Sequence, residues 1–338
     1  MNIAIIGNGF KNEILKTFSQ DTIQIKNNTN KLNDFDIVFA IDKNIELSNL
    51  KEKYQKIMLI GISQGNTIFE NIQYTIQKKL NLGFIINNNT ITIIDPLGNI
   101  WYQGNDKTKA IESAKNRLLY LKKITRQSTF ESNKSLMLNW YFNSFKLNEE
   151  PIKGTISETI EPNFLNLIHK YSKQIYPMMG ADLSKDNHPK IRCAKTMPSF
   201  RKNRKIFVSK RETPYTFLET EDFTETELSN NKIFYKGKDK PAVDTPIHIK
   251  IYEYLPQINY IIHTHTYIKD APTTSISNPC GAIEEFDEIK KVIKEYYQDS
   301  TLNQYKINLK GHGSITLAHS LAELENIQYI NRPLPEIM

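Results

Sequence analysis

The stretch INYIIHTHT constrains this chain more than any other, because it is a short apolar run that ends in two histidines one residue apart. Asn259 to Ile262 are mixed apolar and β-favouring residues, so the run reads as a strand leading into a functional end. Positions i and i+2 of a strand share a face, and the imidazoles of His263 and His265 can therefore reach one ion. A third histidine, His312, stands in NLKGHGSITLA, where flanking glycines let the backbone approach closely and a short strand follows. Three neutral imidazoles with an open position suit a catalytic Zn2+, and an added carboxylate moves the choice toward Mn2+ or Fe2+. The competing reading is that a lone HxH is an accident of a polar strand end. The surrounding pattern decides between them.

The longer run KPAVDTPIHIKIYEYLPQINYIIHTHT resembles the class II aldolase/adducin family, and its DTPxH portion is most similar to the ribulose-phosphate 4-epimerase branch. The likeness extends back through IFVSKRETPYTFLETEDF and covers about residues 157–338. It implies an αβα catalytic domain in which His263, His265 and His312 hold zinc. Nineteen positions before the first histidine, the aldolase branch has an acid/base glutamate; this chain has Asp244, as the epimerase branch does, where the aspartate approaches the metal. The resemblance also implies a homo-oligomer, commonly fourfold, with active sites between subunits.

Composition sets the outer limits. A chain of 338 residues is long enough for two cores, and 39% hydrophobic with 24% charged residues is ordinary for a globular protein. No apolar run approaches the roughly 20 residues of a membrane helix, and MNIAIIGNGF lacks the features of a signal peptide. Two cysteines, Cys193 and Cys280, make no disulfide framework, so a cytoplasmic location is expected. The net charge of +7 is spread along a Lys-, Asn- and Ile-rich chain and argues weakly for nucleic acid.

Taken in order, Asn2 to Gly7 is an apolar run ending in GNGF, and KNEILKTF follows with helical spacing. Strand, glycine turn and helix open a Rossmann-like α/β domain, expected over 1–125. The third place of GxGxxG is Asn12, and TIQIKNN ends without a ribose-binding acid, so the dinucleotide reading is weak. DIVFAID and KIMLIGIS continue the parallel pattern, and residues 83–103 predict a hairpin about Asp95-Pro96-Leu97-Gly98-Asn99. Asn105 or Asp106 caps a helix through about Lys123. Residues 126–156 read as a connection in which Trp140, Tyr141, Phe142 and Phe145 dock on one domain, and 157–338 form the catalytic domain. His169, in the helix of EPNFLNLIHKYSKQIY, reads as structural.

The chain departs from the family at two places. Aligned by eye, the small donors that hold a phosphate there fall on Met197, on Arg211 and Glu212, and on Ala242 and Val243. Met, Ala and Val side chains offer no such donor, so Arg211, helped by Arg192, Lys195 or Arg201, is the expected anion-binding group. Only TYIKDAPTTSISN separates His265 from Pro279-Cys280, so the proton donor that the relatives carry in a longer insertion is absent or replaced. Asp244, Tyr267, Asp270, Glu284, Glu285 and Tyr329 are the candidates, with Asp244 foremost and Tyr329 on a C-terminal helix. Cys280 is a poor nucleophile, having no histidine near it in sequence. The expectation is a metal-dependent lyase that cleaves a C–C bond through a metal-stabilised enediolate. The alternatives are an epimerase using the same chemistry, a non-catalytic adducin-like binding protein, and an NAD-linked oxidoreductase.

Overall fold

A computed structural model describes residues 1–127, 149–178 and 196–333, apart from interruptions at 43–44, 46, 48–49, 55–56, 97, 176–177, 212–217, 231, 280 and 299–300. The aromatic residues at 140–145, Arg192, Cys193, Lys195, Glu212 and Cys280 lie outside the described residues. The chain is mixed α/β, and its strands fall into two large sheets, each with apolar clusters on both faces.

The first sheet is built from β1 (Asn2–Ile6), β2 (Thr22–Lys26), β3 (Ile37–Ala40), β4 (Met58–Ile62), β5 (Leu82–Asn87), β6 (Thr90–Ile94) and β7 (Ile100–Gly104). Its order is β2-β1-β3-β4-β5-β6-β7; the first five strands are parallel, and β6 and β7 are antiparallel additions. Strand alternation sends Ile3 and Ile5 into one core and Ala4 and Ile6 into the other, which is why β1 reads as a continuous apolar run. Helices α1 (Lys11–Thr17), α2 (Leu50–Lys53), α3 (Ile68–Gln77) and α4 (Lys107–Gln127) accompany this sheet. Asp106 caps α4, its carboxylate accepting from the Lys109 N–H at 3.1 Å. The glycines of GNGF turn against β3: a Cβ at Gly9 would lie 2.5 Å from the Ile41 carbonyl oxygen.

The second sheet contains β8 (Glu149–Pro151), β9 (Thr196–Lys202), β10 (Lys205–Ser209), β11 (Phe223–Ser229), β12 (Lys232–Lys236), β13 (Tyr260–Thr264), β15 (Gln304–Leu309) and β16 (Gly313–Ala318), while β14 (Tyr267–Ile268) and β17 (Tyr329–Ile330) form a separate pair. The order β15-β16-β13-β9-β10-β11-β12-β8 is antiparallel except where β8, inside the stretch expected to connect the halves, joins β12 in parallel. Helix α5 (Pro162–Ile175) covers one face, with Phe164, Ile168 and Tyr171 packed near Phe200 and Ile262. The other face carries α6 (Thr245–Tyr254) and α7 (Glu284–Val292), whose Ile247, Ile251 and Ile289 cluster with Ile261 and Ile315. His169 bonds the Leu218 carbonyl at 2.8 Å, a structural contact.

The C-terminal helix expected to carry Tyr329 is not formed. Ile327 and Tyr329 are buried with Gln328 exposed between them, a period of two, and β17 pairs antiparallel with β14. No helix among the described residues is long and apolar enough to cross a membrane.

Candidate metal centre

Strand β13 runs between β9 and β16, with His263 opposite Met197 on one side and Ile315 on the other. Because Ile261 faces the α6 and α7 core, alternation puts His263 on that same side, at the strand's end. His265 follows just beyond the strand. His312 comes from the turn between β15 and β16, closed by the His312 N–H bond to Leu309 O at 2.9 Å. The next residue makes the approach possible: a Cβ at Gly313 would lie 1.9 Å from the Thr264 carbonyl oxygen, so only glycine lets β16 start against the end of β13.

The three imidazoles converge. Ring centroids are 5.3 Å apart for His263 and His265, 4.7 Å for His263 and His312, and 5.5 Å for His265 and His312. One nitrogen from each ring lies within 4.8 Å of the others, and all three residues are buried. His263 Nδ1 donates to the Ser314 carbonyl at 2.9 Å, which fixes Nε2 as the lone-pair nitrogen. His312 Nδ1 lies 3.4 Å from Glu285 Oε2 across a buried contact. A carboxylate behind an imidazole is the usual way of orienting a metal-ligating histidine.

Asp244 is the N-cap residue of α6, but its side chain does not cap the helix. Oδ1 accepts from the Gly281 N–H at 2.6 Å, while Oδ2 lies 3.6 Å from His263 Nε2. One turn along α6, His248 is also buried, and its Nδ1 is hydrogen-bonded to Ser199 Oγ at 2.8 Å. Burial, and secondarily His263 beside it, holds His248 down to about 3, so it is a neutral fourth imidazole. The sequence reading passed over His248, although its i+4 relation to Asp244 puts both on one helix face. Glu285, near the start of α7 and a candidate proton donor by sequence, stands behind His312.

Other expected site residues are elsewhere. Arg201 lies toward the end of β9 away from His263, donating from Nη1 to the Tyr252 carbonyl at 3.1 Å and from Nη2 to that of Pro256, so it closes the end of α6. Arg211 pairs with Glu149 at 2.8 Å, which ties the end of β10 to β8. Tyr329 packs edge-on against Tyr171 at 5.3 Å in the α5-side core, with Ile262 and not with the residues around Ile261. Burial keeps its hydroxyl protonated, with its pKa raised well above the usual tyrosine value. The sheet thus separates Tyr329 from His263. Asp270 is exposed in the turn after β14, and Tyr267 accepts from the Gly311 N–H at 3.0 Å. Burial raises the pKa of Glu284, the first residue of α7. Ala242 and Val243, on the approach to Asp244, are buried.

Residues 193–281 match the model of the class II aldolase and adducin N-terminal domain. The methylthioribulose-1-phosphate dehydratase of Citrobacter koseri is 26% identical over 144 residues, 33% of this chain and 69% of that protein. L-fuculose phosphate aldolases of Methanococcus maripaludis and Methanocaldococcus jannaschii are 25% and 29% identical, covering 39% and 37% of this chain and 82% and 73% of their own lengths. A solved L-fuculose 1-phosphate aldolase superposes with a TM-score of 0.34 at 14% identity, over 50% of this chain and 81% of its own, an overlay too loose to define the architecture.

Proposed function

The second half belongs to the class II aldolase and adducin family, and from that premise we propose that the chain is a divalent-metal-dependent lyase acting on a small anionic, sugar-like hydroxy-carbonyl substrate. The observation that carries the reading is the convergence of His263, His265 and His312 within 4.8 Å, with a carboxylate oxygen of Asp244 3.6 Å from His263. Three buried imidazoles, one with its tautomer fixed by Ser314 and one backed by Glu285, are a donor set suited to Zn2+. Asp244 as a fourth, harder ligand makes Mn2+ or Fe2+ the alternatives. An ion held there supplies Lewis-acid stabilisation of the negative charge that develops on a substrate carbonyl as the adjacent bond breaks.

The chain's own residues do the rest. Asp244 is the group that holds or moves the proton, at Oδ2, while the Gly281 N–H anchors Oδ1 and fixes the direction of the edge that faces His263. Burial of all four groups excludes water from that exchange. Arg192 and Lys195 are the cations retained for the substrate's anionic end, since Arg201 and Arg211 are engaged in structural contacts. Relatives named for phosphorylated sugars favour a sugar phosphate, whereas Ala242 and Val243 leave no side-chain donor where the family's phosphate sits.

The aspartate in DTPxH favours a second reading, an epimerase that cleaves and re-forms the same bond, and a dehydratase relative extends the first to C–O cleavage. We further read 1–125 as a Rossmann-like domain, on its β2-β1-β3-β4-β5 parallel order, 126–156 as the connection, 157–338 as the catalytic domain, and the protein as a homo-oligomer. Elemental analysis of the purified protein beside His263→Ala tests the centre. One divalent ion per chain, lost in the variant together with cleavage of phosphorylated or carboxylated ketoses, is expected. Cleavage by a metal-free protein would rule the mechanism out.

A further inference from the structure

The first half reaches the two loops that build the metal centre. The turn from Asp95 to Asn99 joins β6 and β7, and Asn99 Nδ2 donates to Ser277 Oγ at 3.1 Å and to both oxygens of Asp95. The same amide packs on Gly311, where a Cβ would lie 2.4 Å from Nδ2. Arg117 of α4, 2% exposed, donates from Nη1 to the Ser277 carbonyl at 2.9 Å. Its guanidinium stacks over Trp101 at 4.1 Å and lies 3.8 Å from Asp95, which also accepts from Trp101 Nε1 at 3.0 Å. Near the next turn of α4, the Tyr120 hydroxyl donates to Asn278 Oδ1 at 2.6 Å.

Both loops touched in this way lead into the site. Ser277 and Asn278 open the loop whose Gly281 N–H holds Asp244, and Gly311 directly precedes His312. The contact is polar and hydrogen-bonded through three separate side chains, Arg117 buried and Asn99 and Tyr120 partly so, and directional bonds of this kind fix a position more tightly than apolar packing of the same area. We propose that the Asp95–Asn99 turn and the Arg117–Tyr120 face of α4 form a positioning arm for the metal centre, with Asn99 and Arg117 as its principal positioning residues. Through Ser277 the arm sets the loop that orients Asp244; through Gly311 it sets the third imidazole. The first half therefore serves the reaction as a support for the loops that carry the site. The inference rests on the metal-centre reading above.

The test uses the full chain carrying Asn99→Ala, with Phe18→Leu, in the first half's core, as a control of comparable destabilisation. Two quantities are read: Zn2+ affinity of the metal-free protein by competition with a chromophoric chelator, and amide hydrogen exchange in peptides spanning 274–283 and 309–316. In Asn99→Ala the affinity should fall about tenfold or more, as for loss of other groups that orient metal ligands, and exchange in both peptides should quicken about tenfold; Phe18→Leu should change neither. Affinity within twofold of wild type, or unchanged exchange, overturns the proposal. If Asn99→Ala does not fold, Tyr120→Phe, which removes only the bond to Asn278, is read in the same way. Should the wild-type chain take up no Zn2+, the metal-centre reading fails, and exchange alone decides whether the arm holds the loops.

Discussion

Replacing Gly313 with alanine should break the metal centre without altering a proposed ligand. The new Cβ would stand 1.9 Å from the Thr264 carbonyl oxygen and 2.7 Å from His265 Cα, against ordinary contact beginning near 3.4 Å. The start of β16 and the end of β13 must then part by about 1.5 Å, the shortfall between those distances. The His263 bond to Ser314, now 2.9 Å, stretches out of hydrogen-bond range. Gly313 also has φ +155°, where a side chain is strained. Strain of about 1–3 kcal/mol and a lost bond of about 1 kcal/mol together predict a stability loss of roughly 2–4 kcal/mol. Metal sites tolerate ligand displacements of only about 0.2 Å, so moving His312 away from His263 and His265 should weaken Zn2+ on the order of a hundredfold. Thermal unfolding of the metal-free protein and chelator competition measure the two effects. A variant that melts with the wild type and binds Zn2+ equally would refute the idea that this close approach places His312.

Two further outcomes follow from the packing. Tyr329→Phe should leave turnover within about twofold of wild type, since the hydroxyl lies in the core across the sheet from His263, whereas Tyr329→Ala should cost about 3–5 kcal/mol in denaturant unfolding; a large drop in turnover for the phenylalanine variant would restore Tyr329 to the chemistry. Burial alone would raise the Glu225 carboxyl, but Lys236 at 3.0 Å and the Ser157 hydroxyl and N–H outweigh it and hold it down to about 2. Its contribution is complete above about pH 4.5 and is lost as pH falls toward 2, on the order of 2 kcal/mol. The difference in stability between wild type and Glu225→Gln should therefore shrink over that range, and parallel acid-unfolding profiles would contradict it.

Much of the local structure was legible because it depends on near neighbours. Apolar runs at Asn2–Ile6 and Met58–Ile62 became strands, Asp106 capped its helix, and the Asp95–Asn99 segment turned a hairpin. The residues whose surroundings differ from the expectation share a cause. Arg201 and Arg211 read as anion binders because their residue type suits that task, but the Tyr252 and Pro256 carbonyls and Glu149, distant in sequence, claimed them first. Tyr329 was given a helix because its neighbours permit one, while the strand that actually pairs with it, β14, lies about sixty residues earlier.

What the sequence determined by itself was the nearness of His263 and His265, since residues i and i+2 at a strand end cannot part far, and the presence of glycine beside His312, which permits close approach wherever the partner is. Only the tertiary structure decided what surrounds them. Asp244, Glu285, His248 and His312 arrive from separate elements, and Asn99 and Arg117 come from the other half of the chain, because side chains distant in sequence meet only where packed sheets and helices carry them.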